Sequence, residues 1–169
     1  MNHRLHRSRL AILATALAAA VFLGGTVAAP LLESTGGRGG ALVRWCYASV
    51  CHQQPERSLR VAGSTQAVCA RCSGLYAGGL AGLLVGAVAF VGTDRRPRPL
   101  WLGLLLLPTI ADALLALAGL PSLPNAPRWL LAAPLGLVAG LFVAVAIADV
   151  MGGNASAGLP EPIETAGAE

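Results

Sequence analysis

The chain has 169 residues, 55% of them hydrophobic and only 12% charged, with a mean hydropathy of +0.66. Soluble domains carry roughly 25% charged residues, so the composition excludes an ordinary water-soluble globule and leaves room for one small membrane bundle. The formal charge of +4 rests on twelve arginines and no lysine; these flank apolar runs, where arginine anchors spans in lipid headgroups, and no nucleic-acid partner is expected.

Residues 1–9 read as a basic N-terminal tail with Arg4, Arg7 and Arg9, and with His3 and His6 solvated. The first apolar run, Leu10–Leu32, can cross about 30 Å of hydrocarbon at roughly 1.5 Å per residue. A signal peptide would begin the same way. This run exceeds a usual signal core, however, and Pro30 directly after Ala28 and Ala29 hinders cleavage, so a retained span is expected. Glu33–Gly40 is a flexible linker by composition. Ala41–Val50, with Arg44, Trp45 and Tyr47, reads as a short helix along the interface. Pro55 stops regular helix in the segment that follows. Ser58–Val61 alternates polar and apolar, Gly63-Ser64 offers a turn, and Thr65–Val68 returns as a second short strand. A hairpin this small is marginal unless something else holds it.

The second span covers Ser73–Gly92. Gly74, Gly78, Gly82 and Gly86 recur every four residues on one helix face, a groove that admits another helix closely, from this chain or from a second copy in a homo-oligomer. Thr93–Pro99 is a tight basic loop, Leu100–Leu120 the third span, and Pro121, Pro124 and Pro127 stiffen the turn into the fourth, Trp129–Val150. Residues 151–169 form an acidic tail expected to be disordered. The expected architecture is an all-α membrane protein with four transmembrane helices. One membrane domain spans 10–150, with a cysteine and histidine loop at 33–72, and its partner is the lipid bilayer of the cell membrane. With the N-terminus inside, arginines divide six against six. The inner ones crowd into two short segments, which favours both termini in the cytoplasm and the cysteine loop outside. Trp45, Trp101 and Trp129 fall near span ends, as interfacial indoles do.

The chemistry gathers in the loop. All four cysteines lie between Cys46 and Cys72, beside His52. Cys69-x-x-Cys72 can present two thiolates to one ion, as in zinc knuckles, and Cys51 with His52 sits upstream across the hairpin, as in the half-sites of zinc ribbons. Metal binding would supply the stability that the strands lack. Cys46 is close enough to be a fourth ligand, and because adjacent residues rarely bind the same ion, either Cys51 or His52 could instead stand behind the ligands. Zinc is the first expectation, with iron or an iron–sulfur cluster after it. A dithiol redox pair and structural disulfides remain open. Covalent haem fails because Ser73, not His, follows Cys72, and copper(I) lacks its usual methionines. Arg71, between Cys69 and Cys72, is expected to stabilise thiolates by its charge. Glu56 and Arg57 suit a local ion pair, and Tyr76 an interfacial anchor.

Asp112 lies near the middle of the third span, where a carboxylate costs roughly 2.5–3.5 kcal/mol on insertion scales. Its expected partners are Arg128 or backbone amides freed by Pro108. A functional role, such as carrying protons in a transporter, stands beside a simpler one as glue between helices. Asp149 reads as a boundary residue.

Cys51-His52-Gln53 with Pro55-Glu56-Arg57-Ser58, then Cys69, Arg71, Cys72, Gly74 and Tyr76 at the head of a span, resembles a family of small prokaryotic multi-pass membrane proteins of unknown function. The resemblance covers roughly Cys51 to Gly140. It implies a shared set of three cysteines plus His52, with Cys46 outside it. More faintly it implies a polar network of Asp112, Asn125 and Arg128; where that family often carries Gly and Gln after the aspartate, this chain has Ala113 and Leu115. The favoured expectation is a divalent-metal site of Cys51, Cys69 and Cys72, completed by His52 or Cys46. The alternatives are a membrane thiol–disulfide oxidoreductase using Cys69 and Cys72, and a transporter using Asp112.

Overall fold

The computed structural model describes residues 2–36, 38–93, 96–120 and 123–152. These form α1 (Asn2–Ser34), α2 (Gly39–Tyr47), β1 (Ser58–Val61), β2 (Ser64–Cys69), α3 (Ala70–Ala89), α4 (Leu100–Leu117) and α5 (Asn125–Gly152). Helices α1, α3, α4 and α5 are long and apolar enough to cross a membrane. The protein is an all-helical membrane protein with a two-stranded hairpin between its first and second spans. The acidic tail lies outside the described residues.

The basic segment read as a tail is already helix from Asn2, and Leu5 reaches Gly92 at the end of α3. Helix α1 has 33 residues, so at 1.5 Å each it is about 50 Å long and must tilt or stand out of the hydrocarbon. Helix α4 stops at Leu117, short of the expected Leu120. Gly119 takes φ +70 and the Leu120 N–H bonds the Leu115 carbonyl, a left-handed cap that ends the helix. Helix α5 starts earlier than expected, at Asn125, because Pro127 falls in its first turn, where a missing N–H costs nothing.

The glycine face of α3 is filled within the chain. A Cβ at Gly78 or Gly82 would run into the Ala133 or Leu137 carbonyl of α5, and one at Gly136 or Gly140 of α5 into Leu75 or Gly79 of α3. Small residues on both helices let the two backbones touch, and α5 is the helix that the glycine face admits. Ile12 and Ala16 of α1 close over Leu83, Ala87, Val91 and Ala144 to complete the core at that end. Helix α4 packs chiefly on α5, and Asp112 is its one buried residue.

The hairpin turns at Ala62 and Gly63, with φ +51 and +84, one residue earlier than expected. Positive φ at both central positions is the two-residue turn whose twist matches antiparallel strands. β2 therefore begins at Ser64 and runs to Cys69, which pairs with Ser58.

Candidate metal centre

Two short pieces of chain deliver the thiols. Helix α2 ends at Tyr47, and the Cys51 N–H bonds the Tyr47 carbonyl, which turns Cys51 inward against Ala29, Ala67 and Val68. Gln53 then takes φ +52, and its Nε2 donates to the Arg44 carbonyl at 2.6 Å, pinning the loop to α2. From the other side β2 leads Cys69 to the N-cap of α3, and Cys72 follows in the first turn. The sulfurs of Cys51, Cys69 and Cys72 all lie within 4.8 Å of one another. Thiolates around a tetrahedral ion with 2.3 Å bonds sit about 3.8 Å apart, so a small closure brings these three onto one ion. The Cys69 N–H donates to the Cys51 sulfur at 3.2 Å. All four cysteines are free thiols.

The Cys72 thiol, donating to the Cys69 sulfur, brings the Cys69 thiol down to about 5; burial opposes this, and the Cys72 and Arg71 N–H groups and the Cys51 side chain assist. Arg71 thus contributes a backbone N–H to the Cys69 sulfur. Its guanidinium reaches away to Asp112, donating from both Nε (2.7 Å) and Nη2 to Oδ2. Asp112 Oδ2 also accepts from Arg128 Nε at 3.1 Å, and Oδ1 from the Leu123 N–H at 3.0 Å. Of the expected partners Arg128 is present. The amide comes from the α4–α5 connection rather than from the Pro108 kink, and Arg71 is a third partner that local spacing did not suggest. Because α4 ends at Leu117, Asp112 lies only about 8 Å along the axis from the helix end. That puts it at the thiol end of the bundle, where the aspartate joins α3, α4 and α5.

The loop is clamped from both flanks. Asn125 Nδ2 donates to the Glu56 and Ser58 carbonyls, both at 3.1 Å, tying the loop to the start of α5. Arg44 grips both oxygens of Glu33 at 2.9 and 2.8 Å and donates to the Gln66 and Thr65 carbonyls at 3.1 and 2.7 Å. This clamp on α1 and β2 was missed from sequence; the signal was there, since Glu33 is the only acid before Glu56. Tyr76 stacks edge-on to Phe22 behind the thiols, at 5.1 Å between ring centroids, rather than standing free at the interface.

The remaining candidates fall elsewhere. Cys46 is exposed on α2, outside the thiol cluster. His52 is exposed and not among the converging ligands; it lines the same open cleft, of about 290 Å³, as Cys51, Cys69, Cys72, Gln53, Arg57 and Arg71. Glu56 is exposed, and no Glu56–Arg57 ion pair forms among the described residues.

A family model described as "Predicted membrane protein (DUF2085)" matches residues 51–146. The match begins at Cys51, so it takes in the three converging thiols, Asp112, Asn125 and Arg128 and leaves out α1 and Cys46. The uncharacterized protein MJ1492 of Methanocaldococcus jannaschii is 34% identical over 98 residues, 57% of this chain and 60% of that protein. The chain thus spans about 60% of the length of the curated relative it matches. No solved structure matches it.

Proposed function

We propose that this chain, which belongs to the DUF2085 family of membrane proteins, binds one divalent metal ion, zinc first, through the thiolates of Cys51, Cys69 and Cys72. One observation carries the reading: three free thiols from two separate loop segments converge within 4.8 Å. Packing alone gives no reason to assemble them, and soft sulfur donors suit zinc. The fourth coordination position opens to the cleft that His52 also lines, which makes His52 the favoured protein candidate over Cys46. Such a site ties Cys51 to the hairpin and supplies what two short strands lack. Asp112 serves to hold three helices together at the thiol end of the bundle, since both its oxygens are already engaged, and this favours a positioning role over proton transport.

A thiol–disulfide oxidoreductase is the second reading, favoured by the low pKa of Cys69 at the start of α3. Elemental analysis of purified protein separates the two. About one zinc or iron per chain, lost in Cys69→Ser, is expected; a metal-free wild type with a Cys69–Cys72 disulfide after thiol blocking supports the oxidoreductase instead.

The proposed orientation places both termini in the cytoplasm and the thiol loop outside. Leu5, Gly92 and the Arg96–Asp149 pair share one end of the bundle, so the N-terminal basic segment and Arg96 lie together, opposite the thiols. Exposed Cys46 tests this: a membrane-impermeant maleimide should label it in intact cells, and labelling only after lysis reverses the orientation.

A further inference from the structure

The end of the bundle away from the thiols leaves a gap between helices. Helices α3 and α5 are pressed backbone to backbone, whereas α4 leans chiefly on α5, hardly meets α3, and is tied by Asp112 at the thiol end. The result is an open groove of about 490 Å³ lined by Phe90, Arg96, Arg98, Trp101, Val138 and Leu141. Its two ends differ in chemistry. Arg96 and Arg98, in the connection from α3 to α4, stand exposed at the mouth, and Arg96 pairs with Asp149. Arg98 meets no acceptor among the described residues. Asp94 and Arg95 of the same connection carry one charge of each sign, so the segment is basic by its sequence. Leu141 and Val138 lie about 12 and 16 Å along α5 from Asp149, and the apolar wall therefore runs from the mouth into the hydrocarbon. Trp101, one residue into α4 and 55% exposed, stands at the level that indole rings favour.

We infer that this groove binds one anionic phospholipid, its phosphodiester taken by Arg98 and Arg96 and an acyl chain laid along Phe90, Leu141 and Val138. A basic mouth opening onto an apolar wall at headgroup depth complements a lipid. A soluble anion has nothing to set against the wall. The guanidinium fork matches two oxygens of a phosphodiester. A zwitterionic lipid offers the same phosphate and chains but brings its own cation to the arginines, so an anionic headgroup is preferred. A lipid seated there also fills the space between α3 and α4 that no side chain occupies. The inference stands apart from the metal reading, because the groove and the thiol cluster share no residue.

The test uses full-length protein in a neutral detergent and native mass spectrometry, with chain-matched phosphatidylglycerol and phosphatidylcholine added in equal amounts. Wild type should retain phosphatidylglycerol about 10-fold more than phosphatidylcholine, as expected for one charge-assisted contact, and Arg98→Gln should lose most of that preference. Arg60→Gln removes another exposed arginine, from β1 at the thiol end, and should leave the preference intact. Both positions are on the surface, where such substitutions leave folding undisturbed. Equal retention of the two lipids by wild type overturns the inference. A preference that survives in Arg98→Gln overturns it too, as does one that falls equally in Arg60→Gln and so follows net charge alone. Displacement of phosphatidylglycerol by inorganic phosphate means that the anion binds without its chain, which ends the lipid assignment.

Discussion

The two ends of the bundle use the same ion pair in opposite ways. Away from the thiols, Arg96 Nη2 meets Asp149 Oδ1 at 2.8 Å with side chains 49% and 35% exposed. At the thiol end, Asp112 and Arg128 are 4% and 5% exposed, and Asp112 also accepts from Arg71 and from the Leu123 N–H. An exposed pair gains little, because water and salt screen it and two long side chains lose freedom to make it. A buried carboxylate shared by two arginines is different: its removal takes away the acceptor that both guanidiniums meet, one of them almost fully buried. Helix α4 buries no apolar residue of its own among its described positions, so this one aspartate carries much of its attachment. Helices α3 and α5, in contrast, hold each other by shape, through glycines that admit backbone to backbone.

The largest difference between the two ends should appear on removing each carboxylate. Asp112→Ala is expected to cost about 3–5 kcal/mol in equilibrium unfolding in mixed micelles. A loss under about 1 kcal/mol would erase the contrast with the opposite end. Next comes the thiol chemistry that the buried end supports. In metal-free protein, iodoacetamide should modify Cys69, followed by mass spectrometry of its peptide, at a rate that holds from about pH 8 down to about 5 and falls below that. The sign follows from the thiolate being the reactive form: a lowered pKa keeps Cys69 reactive under mildly acidic conditions, whereas an ordinary cysteine, with a pKa of about 8.5, would already have lost most of its rate by pH 7. A midpoint near that ordinary value would remove the case for a thiolate nest. The smallest effect belongs to Asp149→Ala, about 0–1 kcal/mol, shrinking further in high salt. A salt-independent loss as large as that of Asp112 would mean that the outer pair is buried in the membrane-embedded protein.

Asp112 and Arg71 also mark how far local reading reaches. Asp112 stands out in any hydropathy scan, and Arg128 is close enough along the chain to be paired with it. Arg71 is 41 residues away, between two cysteines that offer it a plausible local role. Only the approach of α3 and α4 to α5 brings its guanidinium to the carboxylate. The same holds for Glu33 and Arg44, and for the glycine face of α3, which a sequence pattern can identify as a contact surface without naming what it contacts.

By itself the amino-acid sequence determined the four apolar spans, the hairpin and the segment in which the thiols lie, because hydropathy, strand alternation and turn residues act over a few neighbouring positions. It also singled out Cys51, Cys69 and Cys72, since spacing limits which sulfurs can meet. Tertiary structure alone decided that Cys46 and His52 stay outside that cluster, that Asp112 takes two arginines, that Arg57 meets no carboxylate among the described residues, and that α5 fills the glycine groove. These outcomes depend on distances between segments far apart in the chain, which packing of the whole bundle sets and no local pattern encodes.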